Sequence, residues 1–204
     1  MAHFVFLEFL DPRVTEVLEE LRSALQPWKR SRSPMHVTVR GPYQSLPENN
    51  LLLQLSDGIR GQGVRIIGSG YFSYGKGEFA VFLRAESAVF RELWWKPDFP
   101  VKPDDIEPHV TVFESNDRTS AQLVYNFLRA ARISILTYSV QLSVYSTGQQ
   151  DLFGTKKVGV RPPNSDWRRD IVAIDDDTLP AARELGQRLL ARREAAKPKP
   201  SGDA

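Results

Sequence analysis

The sequence predicts an α+β fold, two-lobed, with duplicated β-α-β halves and antiparallel sheets lining a central cleft. Three observations lead there. First, the tetrapeptide His-Val-Thr-Val occurs twice, at 36–39 and 109–112, and these two motifs take two of the chain's three His. Second, each copy follows the same succession of patterns. Phe4-Val5-Phe6-Leu7-Glu8-Phe9 and then Val14 to Leu21 precede the first; Phe79-Ala80-Val81-Phe82-Leu83-Arg84 and then Ala88 to Trp94 precede the second. Both read strand, helix, linker, motif. Third, Val-Thr-Val is a β-branched run that favours a strand. In a strand, residues i and i+2 share a face. His36 with Thr38, and His109 with Thr111, therefore look one way, and the valines look toward a core. Two such halves about an approximate two-fold bring both His strands to one cleft.

The elements follow in order. A first strand near 4–9 is apolar on both faces, as a central strand is. Asp11-Pro12 turns the chain, and Val14, Val17, Leu18, Leu21 and Leu25 form a helical stripe that Pro27 ends. Lys29 to Ser33 is a basic linker, either a solvated loop or a lip that steers phosphate. Gly41-Pro42 breaks the motif strand. A helix over about 48–59 uses Leu51, Leu52, Leu55 and Ile59. A strand near 64–73 leads through a Gly75-Lys76-Gly77 hairpin turn into a strand at 79–84. That Gly-Lys-Gly lacks the spacing of a phosphate-binding P-loop. A short helix at about 86–95 ends before Pro97, and Pro100, Pro103 and Pro108 make an irregular approach to the second motif. Ser115-Asn116-Asp117 supplies N-cap residues for a helix at about 119–131, with Leu123, Val124, Phe127 and Leu128 inward. The strand 139–145 alternates polar and apolar, as a sheet strand with one covered face does.

Residues 1–148 complete the repeat, so 149–204 are expected to be an extension that the chemistry does not need. It holds a short Ile171-Val172-Ala173-Ile174 run. A basic helix at about 180–195 follows, capped by Asp175-Asp176-Asp177-Thr178, and then a disordered Lys-Pro-Lys-Pro end. The triple Asp is an N-cap rather than a calcium site, because adjacent carboxylates alternate in direction. His3 fits no motif and is expected at the surface.

Composition narrows the function classes. With 204 residues, 41% of them hydrophobic, the chain can bury a proper core. It has no Cys, which excludes disulfides, thiol nucleophiles and cysteine-ligated zinc. The net charge of +2 is carried by the C-terminal helix, leaving a nearly neutral body. That argues against a long-duplex DNA footprint and allows a nucleotide or an oligonucleotide end. Glu8 and Asp11 interrupt the N-terminal apolar run, so no signal peptide, no membrane span and a cytoplasmic location are expected.

The two motifs in their duplicated context resemble the two-histidine phosphoesterases, the superfamily of the 2′-5′ RNA ligase-like proteins and cyclic phosphodiesterases. The resemblance covers about residues 4–146. It implies a metal-independent phosphodiesterase without a cofactor, acting on nucleotide or RNA-end substrates with 2′,3′-cyclic phosphate or 2′-5′ linkages. Ligation of 2′-5′ ends is a related activity. It also makes the 139–145 strand a cleft-flanking one. The residue chemistry agrees. Opening a phosphodiester takes one proton off the attacking oxygen and puts one on the leaving oxygen. His36 and His109 titrate near neutrality and suit both tasks, and the Thr38 and Thr111 hydroxyls suit the non-bridging oxygens. No His-x-x-x-His or His-Glu-x-x-His spacing suggests zinc. By the period of two, Arg40 and Phe113 share the face of their His. Arg40 either holds a phosphate oxygen or makes a surface ion pair; Phe113 either stacks on a base or packs in the core. Tyr43, Tyr71 and Tyr145 are further candidates for a stacking wall or for structural roles. The alternative to an enzyme is a nucleotide-binding sensor that keeps the cleft without turnover.

Overall fold

A computed structural model describes residues 2–30, 33–74, 77–93, 107–147, 156–160 and 167–196. Nine strands and five helices follow one another as β1 (Ala2–Phe9), α1 (Pro12–Leu25), β2 (His36–Tyr43), α2 (Asn49–Ile59), β3 (Val64–Tyr74), β4 (Glu78–Glu86), α3 (Phe90–Leu93), β5 (His109–Ser115), α4 (Arg118–Ala130), β6 (Ile133–Thr137), β7 (Val140–Thr147), β8 (Lys156–Val160), β9 (Ile171–Ile174) and α5 (Thr178–Ala195) among the described residues. The α+β class and the antiparallel pairing are as expected. One sheet has the order β2-β1-β7-β8 and the other β5-β4-β3-β6-β9. Every pairing is antiparallel. Each motif strand is the edge of its sheet, and the two edges β2 and β5 lie against each other.

One continuous core runs through both sheets. Val5 and Leu7 of β1, Val37 and Val39 of β2, Val81 and Leu83 of β4, and Val110 and Val112 of β5 are all fully buried or nearly so. Helix α1 begins with Pro12 at its first turn and Asp11 as N-cap, which accepts from the Arg13 backbone N–H at 2.9 Å. It buries the predicted stripe of Val14, Leu18, Leu21 and Leu25. In α4 the Asp117 carboxylate accepts from the Thr119 and Ser120 N–H groups.

Several expectations need correction. Leu123 is 43% exposed and Phe127 only partly buried, while α4 buries Ser120, Ala121, Val124 and Leu128; small residues let it lie close to the strands beneath. His3 is buried, its Nδ1 2.7 Å from Ser146 Oγ across the β1–β7 pair. Strand β7 is covered on both faces, since Ser143 and Tyr145 are as buried as Val144. Asp177 precedes α5 without a side-chain cap bond; the helix starts on the backbone bond from Ala181 N–H to Asp177 O. The strand β6 lacked an expectation altogether.

The C-terminal segment is built into the fold. β8 extends one sheet on β7 and β9 extends the other on β6. Helix α5 packs on α1 with Ala182, Leu185 and Leu189 buried. Gly186 lies against the Ala24 carbonyl so closely that a Cβ there would overlap it. Gly75-Lys76, the Pro97, Pro100 and Pro103 approach, and the Lys-Pro-Lys-Pro end lie outside the described residues. Among the described residues no helix is long and apolar enough to cross a membrane.

Candidate active site

The two motifs are held in the same register. On β1, Leu7 faces Val37, Glu8 faces His36 and Phe6 faces Thr38. On β4, Leu83 faces Val110, Arg84 faces His109 and Phe82 faces Thr111. Next comes an irregularity in both pairs: Val5 faces Arg40, and Val81 faces Phe113. One residue, Val39 or Val112, is thus extra on each motif strand, as in a β-bulge.

That bulge breaks the period of two, so Arg40 and Phe113 leave the face of the imidazoles. Arg40 is 4% exposed. Its Nε donates to Tyr43 Oη at 2.5 Å and its Nη1 to the Leu93 carbonyl at 2.7 Å. It lines a separate cavity with Leu51, Leu55 and Leu93 of α2 and α3. Tyr43 is buried beside it. Phe113 belongs to the core, edge-on to Trp28 at 6.1 Å between ring centroids. Tyr71 tilts against Tyr125 at 5.1 Å. Tyr145 is buried as well, but on the face that carries Phe6.

The imidazoles are supported alike. His36 stacks on Phe6 at 3.6 Å, and His109 tilts over Phe82 at 4.6 Å with Phe72 edge-on at 5.3 Å. Gly70 of β3 makes room for Phe82, because a Cβ there would overlap the ring. Nδ1 of His36 lies 2.8 Å from the Pro34 carbonyl, and Nδ1 of His109 2.6 Å from the Glu107 carbonyl. A carbonyl only accepts, so each Nδ1 carries a proton, and each Nε2 is left with a lone pair when the ring is neutral. The four motif residues are half-buried while the valines between them are fully buried.

A cavity of 180 Å³ opens where the two motif strands meet, lined by Met35 and His36 of one and Thr111 to Glu114 of the other. Arg22, Gln26 and Lys29 from the end of α1 and beyond complete it. Thr38 and His109 are not among its lining residues. Arg22 is 18% exposed on its side chain and donates to the Ser33 carbonyl at 3.2 Å, with Glu19 at 3.6 Å. Gln26 ties α1 to β5: its Nε2 donates to the Glu114 carbonyl at 2.6 Å, and its Oε1 accepts from the Glu114 N–H at 3.3 Å. Lys29 pairs with the Glu114 carboxylate.

Burial pushes the pKa of both imidazoles down. For His36 the Pro34 carbonyl works against this, Arg22 adds to it, Glu8 opposes it, and a charge on His109 adds to it again. For His109 the Glu107 carbonyl and carboxylate both favour the charged form. Among the described residues no three His, Asp or Glu side chains gather as a metal site would require.

Sequence reasoning missed Arg22 and Glu8. Arg22 flanks the apolar stripe of α1 and reads as an ordinary surface residue; Glu8 reads as an interruption of an apolar strand. No protein-family model matches the chain, and no curated protein matches it in sequence.

Proposed function

We propose that the chain is a phosphodiesterase of the two-histidine type, built from duplicated halves around a central cleft and acting without a metal ion on nucleotide or RNA-end substrates. The observation that carries this reading is the matched presentation of two imidazoles. Both sit opposite an aromatic-bearing strand in one register, and both give Nδ1–H to the carbonyl two residues earlier. Each leaves Nε2 for a proton transfer. Hydrolysis of a 2′,3′-cyclic phosphate then runs as follows. One neutral Nε2 takes a proton from water as its oxygen attacks phosphorus. The protonated Nε2 of the other His gives its proton to the ribose oxygen as the P–O bond breaks. Thr38 and Thr111 donate hydrogen bonds to the non-bridging oxygens as charge gathers there. Arg22, rather than Arg40, is the guanidinium placed to hold the phosphate.

Two half-buried rings with depressed proton affinity, each with Nε2 left for exchange, favour an enzyme over a sensor, since a binder gains nothing from groups poised to exchange protons. The test is turnover of a panel of 2′,3′-cyclic mononucleotides and short 2′-5′ and cyclic-phosphate-ended oligonucleotides with EDTA present. Turnover that survives chelation supports the reading. Activity lost to EDTA and restored by a divalent ion removes metal independence. Binding without any turnover makes the protein a sensor.

A further inference from the structure

The two motif strands agree at every partner position around the His except one. Where His109 faces Arg84, His36 faces Glu8. Arg84 is about half exposed and pairs with the Glu107 carboxylate. Glu8 is 4% exposed. Directly opposed residues of neighbouring strands share a face, so Glu8 and His36 rise from the same face of the sheet, Glu8 from the strand next to His36. Three side chains of β7 hold that carboxylate: Gln141 Nε2 and Ser143 Oγ donate at 2.7 Å each, and Tyr145 Oη at 2.5 Å. Burial and the Glu8 carboxylate push the Tyr145 hydroxyl well above its usual range, so it remains a donor.

The same network reaches His36 through packing. Tyr145 stacks on Phe6 at 4.8 Å, and Phe6 stacks on His36 at 3.6 Å. A buried ionised group is poor evidence of a need for stability, because an apolar residue of similar volume serves as well or better. The Glu107 carboxylate that acts on His109 is half exposed, whereas Glu8 is buried, and its place next to the aromatic layer behind His36 suits a catalytic need.

We propose that Glu8 is a positioning residue for His36: fixed by β7, it holds the Tyr145–Phe6 layer behind the ring and stabilises the imidazolium that forms when His36 accepts a proton. The role matters for turnover only if His36 is one of the two proton carriers, and so rests on the phosphodiesterase reading. The other charged or titratable side chains around His36 are Arg22 from α1 and Lys29 beyond it, the latter paired with the Glu114 carboxylate of β5, and His109; Arg22 and a charged His109 oppose that charge, and Arg40 on β2 is turned away. Glu8 supplies the opposite sign.

The test is an NMR titration of the His36 and His109 ring protons in the full chain and in Glu8→Gln, alongside the pH profile of turnover. Loss of the carboxylate charge should weaken the proton affinity of His36, by about tenfold where an opposite charge acts within ~4–6 Å. His109 should move much less, and the limb of kcat/KM that His36 governs should shift to lower pH with it. A folded Glu8→Gln protein with an unmoved His36 midpoint overturns the proposal. If Glu8→Gln does not fold, Ser143→Ala answers instead. It strips a donor from the carboxylate and leaves more of its charge to act, so the His36 midpoint should rise; no movement again overturns the proposal. The two readings fail separately. A His36 shift with no turnover on any substrate refutes the phosphodiesterase and keeps the coupling; turnover with unmoved His36 does the reverse.

Discussion

Acidification from pH 7.5 to 5.5 should destabilise this protein by a route that the two motif imidazoles dominate. Both are held below the ordinary imidazole range, with burial as the first cause. The unfolded chain binds protons on these rings near pH 6.5, and the folded chain resists until lower pH. Between those two points the unfolded state holds more protons, so stability falls as pH falls. If a folded ring stays neutral throughout, the loss per His between pH 6.5 and 5.5 is about 1 kcal/mol, and about 2 kcal/mol for the pair. The window is clean of the shifted carboxylates. Asp11, hydrogen-bonded and paired with Arg13, and Asp117, bonded to Ser120, are both lowered from near 3.8. Their contributions are present above that range and are lost only below it. Urea unfolding at pH 7.5, 6.5 and 5.5 should show this slope, and His36→Gln and His109→Gln should each remove about half of it. Arg22→Ala takes away a cation that opposes His36 and should shallow the slope. A wild-type stability that is flat or rises on acidification would refute the burial argument. The same depression puts the optimum of kcat/KM, which needs one proton on the pair, below about pH 6.5.

Thr38→Val and Thr111→Val keep shape and remove a hydroxyl from the imidazole face. Each should cost on the order of 10²-fold in kcat with little change in Tm, measured by steady-state kinetics and thermal melts. Leu185→Ala empties a site buried between α5 and the body, and should cost about 2–5 kcal/mol in urea unfolding. If instead the variant is as stable as the parent, α5 is an appendage after all.

How the chain reports its fold depends on how much pattern each element carries. α1 shows five apolar residues on one stripe, a Pro at its start and an Asp cap, and the structure follows them. β6 is only five residues long; its alternation, with Ile133, Ile135 and Thr137 buried and Ser134 exposed, is too short to stand out beside Arg132 and Tyr138. α5 misleads differently. Its inward residues are Ala182, Leu185, Gly186 and Leu189, a narrow face on a helix rich in Arg. Its charge reads as a basic helix of a dispensable extension, yet a Gly that meets a backbone carbonyl of α1 marks tight helix packing. His3 was placed outside for want of a motif; its partner Ser146 lies across a strand pair that only the fold creates.

The site was legible up to one residue past each threonine. Strict alternation carries His36 and Thr38 onto one face, and the structure agrees. The same rule carried forward puts Arg40 there too, and one extra residue on the strand undoes it. A bulge leaves no mark in the His-Val-Thr-Val pattern, because Val39 is as apolar as any core strand residue. Arg22 was hidden for a different reason: a cation reaches the site from a helix whose approach depends on tertiary packing. Yet the bulge falls after the threonine in both motifs, and it turns Arg40 and Phe113 away from the imidazoles in the same step. A coincidental pair of His-Val-Thr-Val strands has no reason to share a partner register, a supporting Phe, an Nδ1 bond and a bulge. Those four agreements set apart the one partner position where the two motif strands differ: Glu8 opposite His36, Arg84 opposite His109. A symmetric pair of imidazoles has no acid and no base. It acquires them through whatever breaks the symmetry, and the partner positions supply one such difference: a buried Glu8 opposite His36 and a half-exposed Arg84 opposite His109.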